Sequence, residues 1–197
     1  YKASLDRRMT GSCGYWPDGV TNVDAAQEAK LDLVCRKIGL KAGQKVWDIG
    51  CGWGAFMGFA AERYGAQCVG VTVSPDQAAY GRERYKGLPV EFQVKDYREF
   101  EGKTDHVVSM GMFEHVGHRN FRTYFEKARQ VIKDDGLFML HTIGQHYTSH
   151  TIEPWIVGEA YADVALPPPH HLISLEVEGD EARMRPVSEL VTFHTER

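Results

Sequence analysis

Residues 45–60, KVWDIGCGWGAFMGFA, join a short apolar run to a helical segment across glycines at 50, 52 and 54. An apolar run this short that stops at glycine reads as a buried strand. The following AFMGFAAERYG (55–65) reads as a helix that stops at Gly65. Strand, glycine turn and helix in that order begin a βαβ unit. The glycines let the backbone turn tightly and leave no Cβ between it and a ligand, and the helix start beyond offers free N–H groups.

Working outward, the same alternation continues. Residues 22–39 look helical, with Ala26, Leu33, Val34 and Ile38 at helical intervals and Asn22 as cap. CVGVTV (68–73) is a β-branched strand, and SPDQ (74–77) opens a helix with Ser74 as cap and Pro75 in its first turn. VEFQVKD (90–96) and HVVSMGM (106–112) read as strands. RNFRTYFEKARQVIKDDG (119–136) is an amphipathic helix, and GLFMLHTI (136–143) is a fifth strand. Near-continuous apolar strands alternating with helices predict an α/β fold: a doubly wound, mostly parallel sheet with helices on both faces. After LPPPHH (166–171), LISLEVE (172–178) and ELVTFHT (189–195) are expected to form an antiparallel C-terminal hairpin. The whole chain reads as one domain, residues 1–197, with a lid-like segment at 1–21 and a divergent tail at 157–197. Its first residue is Tyr1, so a piece of a longer protein is expected.

Composition narrows the function classes. The 197 residues carry a net charge of −4, unlike the basic surface of a nucleic-acid binder; a local basic patch facing an anionic membrane stays open. No run of about 18 apolar residues suggests a membrane span. The four cysteines, 13, 35, 51 and 68, show no zinc spacing, and the simplest setting is a reducing cytoplasm.

In parallel sheets ligands bind at the carboxyl ends of the strands, near the switch in strand order. Asp48, Thr72, Asp96, Glu114 and His141 all fall at or near such ends. The loop spacing is G-x-G-x-G rather than the dinucleotide G-x-G-x-x-G. That spacing suits S-adenosylmethionine, one nucleoside joined to one amino acid with no pyrophosphate. Thr72 and Gln77 are the polar groups after the second strand; Gln77 also fits a capping box. Asp96 could accept from an adenine amino group, and Tyr97 could face the ring. Glu114 and His141 end adjacent strands, where an acid and an imidazole in an apolar pocket can share a proton or hold a small ion. Cys13 would reach them only if its segment folds over as a lid; by itself it reads as a small buried hydrophobe.

SCGYW (12–16), DIGCGWG (48–54), GVTVSPDQ (70–77), DYREF (96–100), GMFEHVG (111–117) and LHTIG (140–144) together resemble the cyclopropane-fatty-acyl-phospholipid synthases and the mycolic acid cyclopropane synthases. The resemblance implies a class I, Rossmann-like methyltransferase. It implies transfer of a methylene from S-adenosylmethionine to a cis double bond of an unsaturated phospholipid, with a carbocation deprotonated by a bound bicarbonate ion. Cys13, Glu114, His141 and the backbone N–H of Ile143 would hold that ion. The cofactor-binding set would be Ser12, Asp48, Gly50, Cys51, Gly52, Thr72, Gln77, Asp96 and Tyr97. The partner would be phospholipid at a membrane surface, met peripherally at the inner face of the cell membrane, with no nucleic acid and with a homodimer left open. Gly11 stands where the family has Tyr, and the family's aromatic segment after PWI (154–156) and its late tyrosine find no counterpart. The alternatives are a methyltransferase of a small molecule and a cofactor-binding fragment without activity.

Overall fold

The computed structural model describes residues 5–144, 171–178, 181–186 and 192–193. The expectations for the PWI segment and for most of the tail lie outside these residues. Helix α1 spans Val23–Lys37, and the Asn22 side chain caps it by accepting from the Ala25 N–H. Then follow β1 (Lys45–Ile49), α2 (Ala55–Tyr64), β2 (Gln67–Thr72), α3 (Pro75–Arg84), β3 (Val90–Val94), β4 (His106–Met110), α4 (Phe121–Val131) and β5 (Phe138–His141). Short strands β6 (Ile143–Gly144), β7 (His171–Glu178), β8 (Glu181–Pro186) and β9 (Thr192–Phe193) complete the order.

The main sheet runs β3-β2-β1-β4-β5-β9. Its first five strands pair in parallel, and β9 is antiparallel to β5. Side chains alternate across a strand, and here the alternation feeds two cores. Val46, Cys68, Phe92, Val108 and Met139 pack with Leu31, Val34, Phe56 and Ala78 of α1, α2 and α3. Trp47, Val69, Val107, Phe138 and Leu140 pack with Tyr124, Ala128 and Val131 of α4 and with Phe100. The strand order reverses direction between β1 and β4, which opens a crevice at their carboxyl ends.

Three local expectations shift. α4 begins at Phe121, after a 3-10 turn at His118–Asn120, and Phe121 stays 37% exposed rather than joining the core. β3 stops at Val94, so Asp96 caps a 3-10 turn at Tyr97–Glu99 instead of ending a strand. The hairpin partner of β7 is β8, with Ile173 opposite Pro186 and Glu178 opposite Glu181. Residues 192–193 of the expected ELVTFHT strand join β5 instead. Only two residues separate β7 from β8 in sequence, and short loops close at the lowest entropic cost.

Candidate active site

The glycine loop sits at the carboxyl end of β1. The N–H groups of Gly50 and Cys51 both donate to Val71 O, at 3.1 and 2.9 Å, tying the loop to the end of β2. Gly50 (φ 77°) and Gly52 (φ 53°) hold left-handed conformations that favour glycine. A Cβ on Gly50 would lie 2.7 Å from Met112 Cβ, so the turn after β4 packs directly against the loop. A Cβ on Gly52 would meet nothing within 4 Å. Gly50 is thus needed for packing, whereas Gly52 borders open space of the kind a ligand can enter. Asp48 is buried on the face shared with α2, and desolvation pushes its carboxyl up to about 7. Cys51 is buried beside it, and its thiol is pushed up by desolvation and by the Asp48 charge.

At the end of β2, Thr72 Oγ1 donates to Gln77 Oε1 at 2.8 Å, and Ser74 N donates to Thr72 Oγ1 at 3.2 Å. Ser74 Oγ caps the Gln77 N–H at 3.3 Å. The capping-box reading of Gln77 is therefore half right: its backbone is capped, and its side chain turns to Thr72. Asp96 is committed within its own turn. Its carboxylate accepts from Arg98 N and Nε at 2.8 Å each and from Nη2 at 2.6 Å. The hydrogen bonds from Arg98 hold Asp96 below the usual carboxylate range. Tyr97 meets Tyr124 edge-on, centroids 5.5 Å apart.

The β4 and β5 ends carry the other group. Met110 is opposite His141, and Gly111 N donates to His141 O at 2.9 Å. Glu114 follows in a 3-10 turn, Phe113–His115, rather than on the strand itself. Phe113 of that turn stacks on Phe121 at 4.3 Å and meets Tyr124 at 5.1 Å between ring centroids. Beta alternation puts the His141 side chain on the α1 side of the sheet, with Met139. His141 is buried, and its Nδ1 has no hydrogen-bond partner among the described residues. Desolvation, then the Lys30 charge, lowers the imidazole to about 4, so it is neutral near pH 7.

The N-terminal segment folds onto the same place. Ser12 Cβ would lie 3.4 Å from a Cβ on Gly111. Cys13, next along, is exposed and is the one free thiol of the four that is not buried. The reading of Cys13 as a buried hydrophobe does not hold; its loop lies at the mouth of the crevice. At Gly11 a Cβ would meet nothing within 4 Å, so that position is open. Gly111 thus touches Ser12 on one side, donates to His141 O at the end of β5, and lies three residues before Glu114. Asp48, Gly50, Cys51, Gly52, Thr72 and Gln77 gather one strand away, across the β1–β4 switch. Asp96 and Tyr97 stand further along, beyond β2.

Several buried charged groups escaped the sequence reading. Lys30 is 1% exposed, and its Nζ donates to Ser12 Oγ at 2.8 Å. Gln27 Nε2 donates to Ser12 O at 2.7 Å. Asp6 is buried and accepts from Arg8 N at 2.9 Å and Thr10 N at 2.6 Å. Arg8 bridges Glu28 (3.2 Å) and Glu62 (2.8 Å). One signal was available for Lys30: it lies four residues from both Ala26 and Val34, inside the apolar stripe of α1.

Comparison with known proteins adds a consistent pattern. The sequence profile described as "Mycolic acid cyclopropane synthetase" matches residues 1–186. The cyclopropane-fatty-acyl-phospholipid synthase of Escherichia coli (strain K12) is 42% identical over 167 residues, 85% of this chain and 44% of that protein. The chain thus spans less than half the length of that relative. The solved mycolic acid cyclopropane synthase CmaA1, complexed with SAH and CTAB, superposes with a TM-score of 0.73 at 32% identity, covering 83% of this chain and 64% of that one. Coclaurine N-methyltransferase, bound to N-methylheliamine and SAH, superposes with a TM-score of 0.72 at 27% identity, covering 88% and 57%.

Proposed function

Because the chain belongs to the mycolic acid cyclopropane synthetase family, we propose that it transfers a methylene from S-adenosylmethionine to a cis double bond of an unsaturated phospholipid. The observation that supports this reading is the meeting of the Ser12 segment, the β4 exit at Gly111 and the β5 end at His141, one strand from the glycine loop. The solved relative with SAH in it favours the cofactor.

In this reading Gly52 leaves room for the cofactor, Gly50 and Cys51 shape its turn, and Thr72 with Gln77 offers a polar pair to the ribose side. Ser12 and Asp48 border the amino-acid side, and Asp96 and Tyr97 border the base. Bound there, S-adenosylmethionine supplies a methyl made electrophilic by its sulfonium. The alkene's π electrons form the new C–C bond, and the C–S pair leaves on sulfur, giving S-adenosylhomocysteine. A base then takes one proton from the new methyl, and the freed C–H pair closes the ring. His141 is too weak a base for that step alone at about 4. Neutral and dry, it serves better by holding a basic anion. Bicarbonate held by Cys13, Glu114, His141 and the Ile143 N–H fits that need. The exposed Phe121, stacked on Phe113 and followed by Arg122, gives an apolar and cationic edge suited to peripheral contact with the inner membrane face. Among the described residues no helix is long and apolar enough to cross a membrane.

The test is incubation of the protein with S-adenosylmethionine and vesicles of unsaturated phosphatidylethanolamine, with bicarbonate and after its removal. The expected product has lost the double bond and gained one CH2, at a rate that falls when bicarbonate is depleted. The likeness to an N-methyltransferase favours a second reading, a small-molecule acceptor. Unchanged lipid with methylation of an added amine would replace the first reading by the second.

A further inference from the structure

We propose that Lys30, assisted by Gln27, is a positioning residue: a latch on α1 that holds Ser12, and with it Cys13, over the carboxyl ends of β4 and β5. The inference rests on the site assignment above but concerns a residue outside that set.

The latch has three contacts, all between residues 12–15 and one face of α1. Lys30 Nζ donates to Ser12 Oγ at 2.8 Å and lies 3.5 Å from Ser12 O. Gln27 Nε2 donates to Ser12 O at 2.7 Å. Tyr15 N donates to Ala26 O at 3.1 Å. Gly14 lies between them, and a Cβ there would come within 3.0 Å of Ala26 Cβ, so the segment is pressed against the helix. On its other side Ser12 rests against Gly111, at the exit of β4. The strap is therefore clamped between α1 and the turn that carries Glu114.

The chemistry of Lys30 is unusual for a residue that only fills a core. A buried ammonium is costly unless paired. Among the described residues no carboxylate lies within ion-pair distance of it, and burial lowers it to about 8. A Met or Leu would fill this position without that cost. What the ammonium adds is a charge-assisted bond to Ser12 and a positive charge that reaches Cys13 and His141. Both effects act on the catalytic end of the crevice. The lower half of the same segment is fixed separately, by Asp6 and by Arg8 with Glu28 and Glu62. Removing Lys30 should thus free residues 12–15 without releasing the whole strap.

The experiment compares the unaltered chain with Lys30→Met, Gln27→Leu and Ser12→Ala, and Lys30→Met with Ser12→Ala combined. The first readout is amide hydrogen exchange at Tyr15, whose N–H reports the latch directly and needs no cofactor. The expected result for Lys30→Met is exchange faster by about tenfold, the scale of one lost charge-assisted bond, and for Gln27→Leu exchange faster by about fivefold, the scale of one neutral bond, with the amides of α1 unchanged. The second readout is S-adenosylhomocysteine affinity by calorimetry. Lys30→Met should weaken it by about tenfold, and adding Ser12→Ala to Lys30→Met should weaken it further by less than Ser12→Ala does alone, because the two share one contact. A purely structural lysine would lower the unfolding midpoint and leave both readouts alone. Unchanged Tyr15 exchange in Lys30→Met and Gln27→Leu overturns the latch. If the unaltered chain binds no S-adenosylhomocysteine, the cofactor reading falls, while the exchange data still decide the latch.

Discussion

Substituting alanine at Gly50 and at Gly52 separates packing from ligand space. Both residues have positive φ, 77° and 53°, so each alanine costs about 1–2 kcal/mol of backbone strain. At Gly50 the new methyl would also stand 2.7 Å from Met112 Cβ, with Met112 Cγ closer still. Met112 Cβ is not the free end of a side chain; moving it means moving the turn that leads to Glu114. That overpacking adds about 1–3 kcal/mol. The expected total for Gly50→Ala is about 2–5 kcal/mol, against about 1–2 kcal/mol for Gly52→Ala. Urea denaturation followed by far-UV circular dichroism measures both. Binding should rank them the other way. Gly52→Ala fills the open side of the loop and should lose S-adenosylhomocysteine affinity at least tenfold while staying folded. Equal destabilisation by the two substitutions would refute the claim that the β4 turn packs on Gly50. Undiminished affinity in Gly52→Ala would refute the claim that the space beside it belongs to the cofactor.

Other outcomes follow from charges and burial. His141 is lowered to about 4 by desolvation and then by Lys30. Its contribution to stability is complete above the ordinary imidazole range and is lost as pH falls through about 4; histidine NMR should show it neutral at pH 6, and Lys30→Met should move its titration upward. Asp48 has the opposite sign, because burial raises it to about 7. Its neutral form favours the fold below the ordinary carboxylate range, and that preference is lost as pH rises through about 7; the difference is worth at most about 4 kcal/mol. Asp48→Asn should therefore flatten the decline in unfolding free energy between pH 4 and 7, and an unchanged slope would contradict it. Arg8→Ala removes bonds to Glu28 and Glu62, and chemical denaturation should show a loss of about 1.5–3 kcal/mol.

The parallel sheet was legible because its strands are buried on both faces and read as apolar runs between glycines, KVWDIG above all. Caps at Asn22 and Ser74 were legible because their pairing is local, within three residues of chain. Contacts set by tertiary packing were not. Lys30 reads as one more helix-favouring cation until the N-terminal segment is seen lying across α1. Asp96 reads as a free acid until Arg98 folds back on it, a bond that the 3-10 turn creates. Phe121 follows the periodicity of α4 yet remains outside the core, because its stacking partner Phe113 belongs to the turn after β4. The partner expected for β7 was ELVTFHT (189–195), whereas EARMRP (181–186), two residues after β7, pairs with it. For the candidate site, the motifs marked the strand ends, and only the register of Met110 with His141 placed the ends of β4 and β5 side by side.

The central claim is that a proton leaves the transferred methyl before the ring closes. S-adenosylmethionine carrying a fully deuterated methyl, offered with unsaturated phospholipid vesicles and followed by lipid mass spectrometry, tests it most directly. The account predicts a ring that keeps two of the three deuterons, with the third lost to solvent. A product that keeps all three would mean simple methylation and would contradict it.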